Sequence, residues 1–314
     1  MQGKLQVPEC VAREGQIGGR PPRICTVRVA FATCSLVPDG WPDDAEAAAL
    51  LGAEMHPWDD PSVGWDRYDR VVVRSVYDYA QRLDQFLAWC HEVGRQRLRN
   101  TPELVSFNAD KRYLAELRSP TVPTVYVAPG DQPPQLDGEV VVKPNISAAA
   151  RDTGRFSPST HEVAFDLIGR IQASGRVALV QPYLTSVDER GETSLVFFGG
   201  RLSHVLRKGA VLRPDETAPL AQEGLGRDLG VAQVMLDPNL VTAGEASPAE
   251  YELAKRVHAE IAHRFGTPLL LRVDLVFDGH GEPVVMEIEA IEPLLYLSTQ
   301  PGGADAFAAA VRAS

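Results

Sequence analysis

Short runs of branched aliphatic residues closed by charged or polar ones constrain this chain more than any other feature of its sequence. Arg70-Val71-Val72-Val73-Arg74 has no polar alternation. A strand built from it must be buried on both faces, as in parallel sheets flanked by helices. Val27-Arg28-Val29-Ala30-Phe31-Ala32 reads as an earlier buried strand that ends in the polar turn Thr33-Cys34-Ser35. Helical stretches over 43–51 and 81–93 follow the two runs, and strand, helix, strand, helix predicts a doubly wound α/β unit. Ligands in such units lie beyond the carboxyl ends of the strands, where Arg74, Ser75, Tyr77 and Asp78 fall. A capped loop with a surface arginine fits the same residues.

From residue 106 the texture changes. Asn108-Ala109-Asp110-Lys111-Arg112-Tyr113-Leu114 reads as the start of a helix, and five prolines between 120 and 134 punctuate short extended pieces. The strand Glu139-Val140-Val141-Val142-Lys143-Pro144 then runs into small and polar residues, 145–155, that predict a mobile loop. A helix over 162–173 and a strand over 177–181 complete a small lobe. Beyond residue 184 come a hairpin, 192–198 and 202–207 around Gly199-Gly200, and a Pro-, Gly- and Asp-rich loop over 209–247. A helix over 249–265 follows, with Ser247-Pro248 at its start and Gly266 at its end. Two last strands, 269–277 and 283–288, are joined by Asp278-Gly279-His280-Gly281. The expected division is a loosely packed tail over 1–26, an N-terminal α/β domain over 27–105, a small lobe over 106–183 and a C-terminal lobe over 184–314.

Charge and cysteine content narrow the function. With 31 Lys+Arg against 42 Asp+Glu the formal charge is −11, which repels a phosphate polymer and argues against nucleic-acid binding. No apolar run approaches the ~18 residues of a membrane helix. Cys10, Cys25, Cys34 and Cys90 form no C-x-x-C pair and read as reduced thiols, so the expected compartment is the cytoplasm.

The last two strands carry the chemistry. In Leu271-Arg272-Val273-Asp274-Leu275 and Val285-Met286-Glu287-Ile288-Glu289 the charges alternate with apolar residues and share one face of each strand. Hairpin pairing would gather Asp274, Glu287 and Glu289 into a cluster whose mutual repulsion a hard divalent cation relieves. The solvated face of an edge hairpin gives the same pattern. There is no G-x-x-x-x-G-K-[ST] loop, and no G-x-G-x-x-G follows the first strand. Lys111 and Lys143 are the candidates for a different phosphate cradle, although a lysine ending an apolar strand can also be a snorkelling surface residue.

Taken in order, Asn108-x-Asp110-Lys111, Val142-Lys143-Pro144 with its small-residue loop, Val180-Gln181-Pro182-Tyr183-Leu184, Arg272-Val273-Asp274 and Glu287-Ile288-Glu289 resemble the ATP-grasp superfamily over nearly all of the chain from Val27. The resemblance implies an α/β and α+β molecule in which an N-terminal doubly wound domain accompanies two α+β lobes clasping ATP. It further implies that Lys111, Lys143 and Ser147 contact the nucleotide phosphates, that Gln181, Pro182, Tyr183 and Leu184 hold adenine, and that Asp188 or Glu192 reaches ribose or substrate. Asp274, Glu287 and Glu289 would hold Mg2+ or Mn2+, with Arg272 facing the transferred phosphate. The sequence departs from the family pattern in having a single glycine in the 147–154 loop and Glu287-x-Glu289 where Glu-x-Asn is common.

Within the superfamily, Arg74-Ser75-Val76-Tyr77-Asp78-Tyr79, Arg151-Asp152-Thr153-Gly154-Arg155-Phe156 and Ser203-His204-x-x-Arg207-Lys208-Gly209 are similar to stand-alone actinobacterial ligases that include the O-ureido-D-serine cyclo-ligases. That group implies activation of a small amino acid derivative's carboxylate as an acyl phosphate. An internal nitrogen then attacks, closing D-cycloserine with loss of CO2 and ammonia. Arg207 and Arg74 are the candidates for the substrate carboxylate and developing phosphate charge, with Ser75, Tyr77, Asp78, Arg151 and Glu192 around the substrate and His204 moving a proton. An ATP-grasp ligase joining two small molecules and a nucleotide-binding module without turnover remain as alternatives. The expected partner is a small molecule, with homo-oligomerisation left open.

Overall fold

The computed structural model describes residues 27–219, 227–228 and 230–314. Residues 1–26, expected as a tail and including Cys10 and Cys25, lie outside the described residues, as does part of the 209–247 loop.

Three sheets organise the chain. The first is parallel, with β1 (Val29–Thr33), β2 (Glu54–Pro57), β3 (Arg70–Ser75) and β4 (Leu98–Arg99) in the order β2-β1-β3-β4. Helices α1 (Ala45–Leu51) and α2 (Leu83–Val93) follow β1 and β3. The continuous aliphatic runs have the reason anticipated. Ala30, Ala32, Val71 and Val73 enter one core, beside Trp58, Phe86 and Trp89, while Val29, Phe31 and Val72 enter another on the opposite face. β2 escapes sequence inspection because Glu54-Met55-His56-Pro57 is an edge strand with no buried residue and no alternation.

Between this domain and the next, α3 (Pro102–Asn108) ends at the residue expected to begin a helix, and a 3-10 turn over Lys111–Glu116 follows. The break is a set of buried polar contacts. The Asn108 amide donates to Ile288 O at 2.8 Å and accepts from Ala290 N at 2.7 Å, pinning the helix end to a distant strand. The second sheet is antiparallel, with order β11-β7-β6-β8-β5. Its strands are β5 (Val125–Val127), β6 (Val140–Pro144), β7 (Gly154–Phe156), β8 (Ala178–Pro182) and β11 (Glu216–Thr217), the last returning from the long 209–247 connection. Helix α4 (His161–Ala173) covers one face through Val140, Val142, Val180, Leu167 and Ile171.

After the short helix α5 (Ser186–Arg190) comes the third sheet, antiparallel and ordered β12-β10-β9-β13-β14. It contains β9 (Glu192–Phe198), β10 (Arg201–Lys208), β12 (Val241–Ala243), β13 (Leu270–Phe277) and β14 (Pro283–Glu289). Helix α6 (Pro248–Phe265), opened by a capping box between Ser247 and Glu250, packs on Leu271, Val273 and Leu275. The alanine-rich α7 (Gly303–Ala313), not anticipated, inserts Phe307 against Phe31 and Phe198, so the first and third sheets share a core.

Candidate active site

A cavity of about 260 Å3 lies between the second and third sheets, closed on one side by Tyr77, Tyr79, Ala80 and Gln81, which follow β3. In β6, Val140 and Val142 point into the α4 core while Val141 and Lys143 line the cavity. In β13, Leu271, Val273 and Leu275 face α6 and leave Arg272 and Asp274 on the opposite side. A bulge in β14 after the Asp274–Glu287 pair lets Val285 enter the core while Glu287 and Glu289 reach the cavity.

Asp274 pairs directly across from Glu287, and Arg272 across from Glu289. The three carboxylates do share a face, but they are not a preformed cluster, because cations lie among them. Arg272 holds Asp274 through two bonds of 2.9 Å and also bonds Glu289, while Lys111 Nζ is 3.2 Å from Glu287. Among the described residues no group of three or more His, Cys, Asp or Glu side chains is gathered to hold a metal ion. The donor set nevertheless fits a hard cation. Burial and neighbouring carboxylates push Glu289 up to about 8 and Glu292, also on the cavity wall, up to about 7. A divalent ion beside these groups would act in the opposite direction and favour their ionised forms. Burial acts on Glu287 too, but Lys111 and Lys143 outweigh it and hold that carboxyl below its ordinary range.

The lysines sit opposite. Lys111 Nζ donates to Ser147 O at 2.8 Å, and its backbone N–H to Asn145 O at 2.8 Å, so the turn after α3 is fastened to the β6–β7 loop. Asn145 also donates to Asp110 at 2.8 Å, which gives the Asn108-x-Asp110-Lys111 spacing a physical basis. One end of that segment is held by β14 and the other by the small sheet. Among the described residues Lys143 makes no hydrogen bond or ion pair, and burial drives its ammonium below the ordinary lysine value. Gln181, Pro182, Tyr183 and Leu184 line the far wall, with Gln181 donating to Thr124 Oγ1 at 2.8 Å.

A family model for the D-cycloserine synthetase DcsG N-terminal domain matches residues 29–100. The cycloserine biosynthesis protein DcsG of Streptomyces lavendulae is 37% identical over 287 residues, 85% of this chain and 90% of that protein. The chain belongs to the DcsG family. The crystal structure of D-cycloserine synthetase DcsG superposes with a TM-score of 0.76 at 34% identity, covering 90% of this chain and 98% of that one. The D-alanine–D-alanine ligase of Bacillus anthracis complexed with ATP matches at TM-score 0.58 and 11% identity over 91% and 94% of the two chains, a likeness of fold. The family thus has the ATP-grasp architecture that the sequence motifs resemble.

Not every anticipated site residue of this family member reaches the cavity. Arg74 and Ser75 are buried against Asp44, with Arg74 Nε 2.8 Å and Ser75 Oγ 3.1 Å from its carboxylate, and Arg74 also bonds Pro293 O. They sit at the junction between the first and third sheets and do not line the cavity. Asp78 accepts from Trp58 Nε1 at 3.0 Å and pairs with Arg82 at 3.1 Å. His204 donates from Nε2 to Leu295 O at 2.7 Å, and burial lowers its basicity. Arg207 points to the α6 side of the sheet, where it bonds Thr193 and Glu245 O. Asp188 is held by Arg155 at 2.9 Å and 3.0 Å and by Tyr183 at 2.7 Å, outside the cavity.

Tyr77, Ser147, Arg151 and Glu192 do line the cavity. So do Lys208, Glu292 and Tyr296, which sequence reasoning passed over. Strand alternation could have found Lys208, since it lies on the opposite face of β10 from Arg207; half-buried beside the buried Glu192, its Nζ is 3.2 Å from that carboxylate. Glu292 and Tyr296 follow β14 in irregular chain, where no periodicity marks them.

Proposed function

We propose that this chain is an ATP-dependent cyclo-ligase that converts O-ureido-D-serine to D-cycloserine. Membership of the DcsG family supports the substrate, and the observation that carries the chemistry is the meeting of Lys111, Lys143, Lys208 and Arg272 with Glu287 and Glu289 around one cavity, with Asp274 buried behind Arg272. Phosphoryl transfer needs positioning and charge neutralisation rather than covalent help from the protein, and this set supplies both signs of charge.

In this reading Gln181, Pro182, Tyr183 and Leu184 seat the adenine, and Lys143 and Lys111 hold the phosphates with Ser147 beside them. Arg272 steadies the phosphoryl group as it passes to the substrate carboxylate. Asp274, Glu287 and Glu289 would hold Mg2+ or Mn2+, which supplies further neutralisation of phosphate charge. Tyr77, Arg151 and Glu192 surround the substrate. The ureido nitrogen bonded to oxygen attacks the acyl phosphate carbon, phosphate leaves, and hydrolysis of the carbamoyl group releases CO2 and ammonia. The attacking nitrogen belongs to the same molecule, so orientation replaces a second substrate.

Residues 27–105, 106–183 and 184–314 are proposed as the three lobes. The cytoplasm is the proposed compartment, in keeping with the free buried thiols of Cys34 and Cys90 and with no helix among the described residues being long and apolar enough to cross a membrane. The deciding experiment incubates the purified protein with ATP, Mg2+ and O-ureido-D-serine and measures ADP and D-cycloserine together. Product with one ADP per ring supports the assignment. ADP release only with two separate amino acids would replace it with a bimolecular ligase.

A further inference from the structure

A second cavity, of about 780 Å3, sits where β4, the β9–β10 turn, the C-terminal end of α6 and the face of α7 meet, and it shares no lining residue with the first. Its wall carries Arg95, Arg99 and Arg201 but no Asp or Glu. In a chain of net charge −11 that runs against composition. None of the three makes an ion pair among the described residues. Arg99 spends Nη1 on Gln96 O at 3.0 Å and Leu98 O at 3.4 Å and Nε on Ser314 Oγ at 3.3 Å, and among the described residues Nη2 has no partner. Burial and the neighbouring Arg70 push its guanidinium down to about 10. Asn100, Thr101, Ser203, Thr267 and Ser314 are the other polar groups on the wall. The remaining lining is apolar, including Phe198, Leu202 and Leu269 together with Ala306, Ala309 and Ala313, which recur at helical spacing on one face of α7.

We propose that this second cavity binds an amphiphilic organic anion, its carboxylate or phosphate head held by Arg99 and Arg201 and its apolar chain laid along the alanine face of α7. Arg201 can meet such a head with a bidentate fork, and Arg99 with Nη2. Small side chains on the helix leave depth for a hydrocarbon, whose burial supplies affinity the head alone lacks. The site is separate from the nucleotide cleft, so occupancy and ATP binding can be measured independently.

The probe is decanoate, titrated into the full chain by calorimetry, beside decyltrimethylammonium as the same tail with opposite charge and inorganic phosphate as a head without a tail. Decanoate should bind while the other two bind at least about tenfold more weakly, the scale of a lost charge-assisted hydrogen bond. Arg99→Gln with Arg201→Gln should weaken decanoate by about tenfold or more and leave ATP affinity unchanged. Ala309→Trp, which fills the cavity and removes no arginine, should do the same and serves if the double variant does not fold. Equal binding of the cationic tail, phosphate binding as tight as decanoate, or undiminished decanoate affinity in the folded variants would overturn the proposal.

Discussion

Replacing Lys143 by methionine should stabilise the nucleotide-free protein while weakening its hold on ATP. Lys143 is 8% exposed, lies next to the end of the buried strand β6, and has among the described residues no ion pair or hydrogen bond to offset desolvation. Burial lowers its ammonium pKa, and the attraction of Glu287 only partly opposes this. Methionine keeps the length and apolar stem without the charge. Apolar replacements of buried charged groups gain on the order of 1 kcal/mol or more, which for a chain of this size is about 2–4 °C in Tm. The pH dependence follows from the direction of the shift. A lysine depressed in the folded state binds fewer protons there than when unfolded, so its penalty is full below the folded pKa. It fades as pH rises towards the ordinary value of 10.5. The stability gap between Lys143→Met and the parent should therefore narrow on the alkaline side. Against this gain, loss of a charge-assisted phosphate contact, about 1.5–3 kcal/mol, should weaken ATP by roughly ten- to a hundredfold. Thermal unfolding without nucleotide, followed by ATP calorimetry on the same samples, reads both effects. A variant less stable than its parent at neutral pH, or one with unchanged ATP affinity, refutes the reasoning.

Three further substitutions test other parts of the site. Glu287→Gln should abolish turnover and the Mg2+ dependence of ATP binding with the fold intact by circular dichroism, and near-normal ADP release would remove Glu287 from the metal site. His204→Gln should lower Tm, because a buried bond to Leu295 O is lost at a cost of about 1 kcal/mol; its pH–rate profile should not move, and a missing limb would restore a proton-transfer role. Arg155→Met should weaken ATP severalfold with little change in the saturated rate. Arg155 stacks 3.4 Å above the Tyr183 ring and bonds Glu139 and Asp188, so it steadies the adenine-side segment from outside the cavity. Unaltered nucleotide affinity would reduce this residue to a structural one.

The sequence by itself determined the buried parallel strands, the hairpin of β9 and β10, the capped helix α6 and the alternation that sets Arg272 and Asp274 apart from Leu271 and Val273. These depend on side-chain periodicity and local capping, which are properties of neighbouring residues. The lysines and carboxylates were legible as types in order along the chain for the same reason. Only the tertiary structure decided which charges remain for chemistry. Arg74 is consumed by Asp44, Asp188 by Arg155, and His204 by Leu295 O, each through a partner at least 30 residues away that no local pattern reveals. The same packing placed Arg272 and Lys111 among the carboxylates and brought Lys208, Glu292 and Tyr296 onto the cavity wall. Periodicity says which face a side chain takes; what meets that face depends on how separately built sheets and the chain between them close around one space.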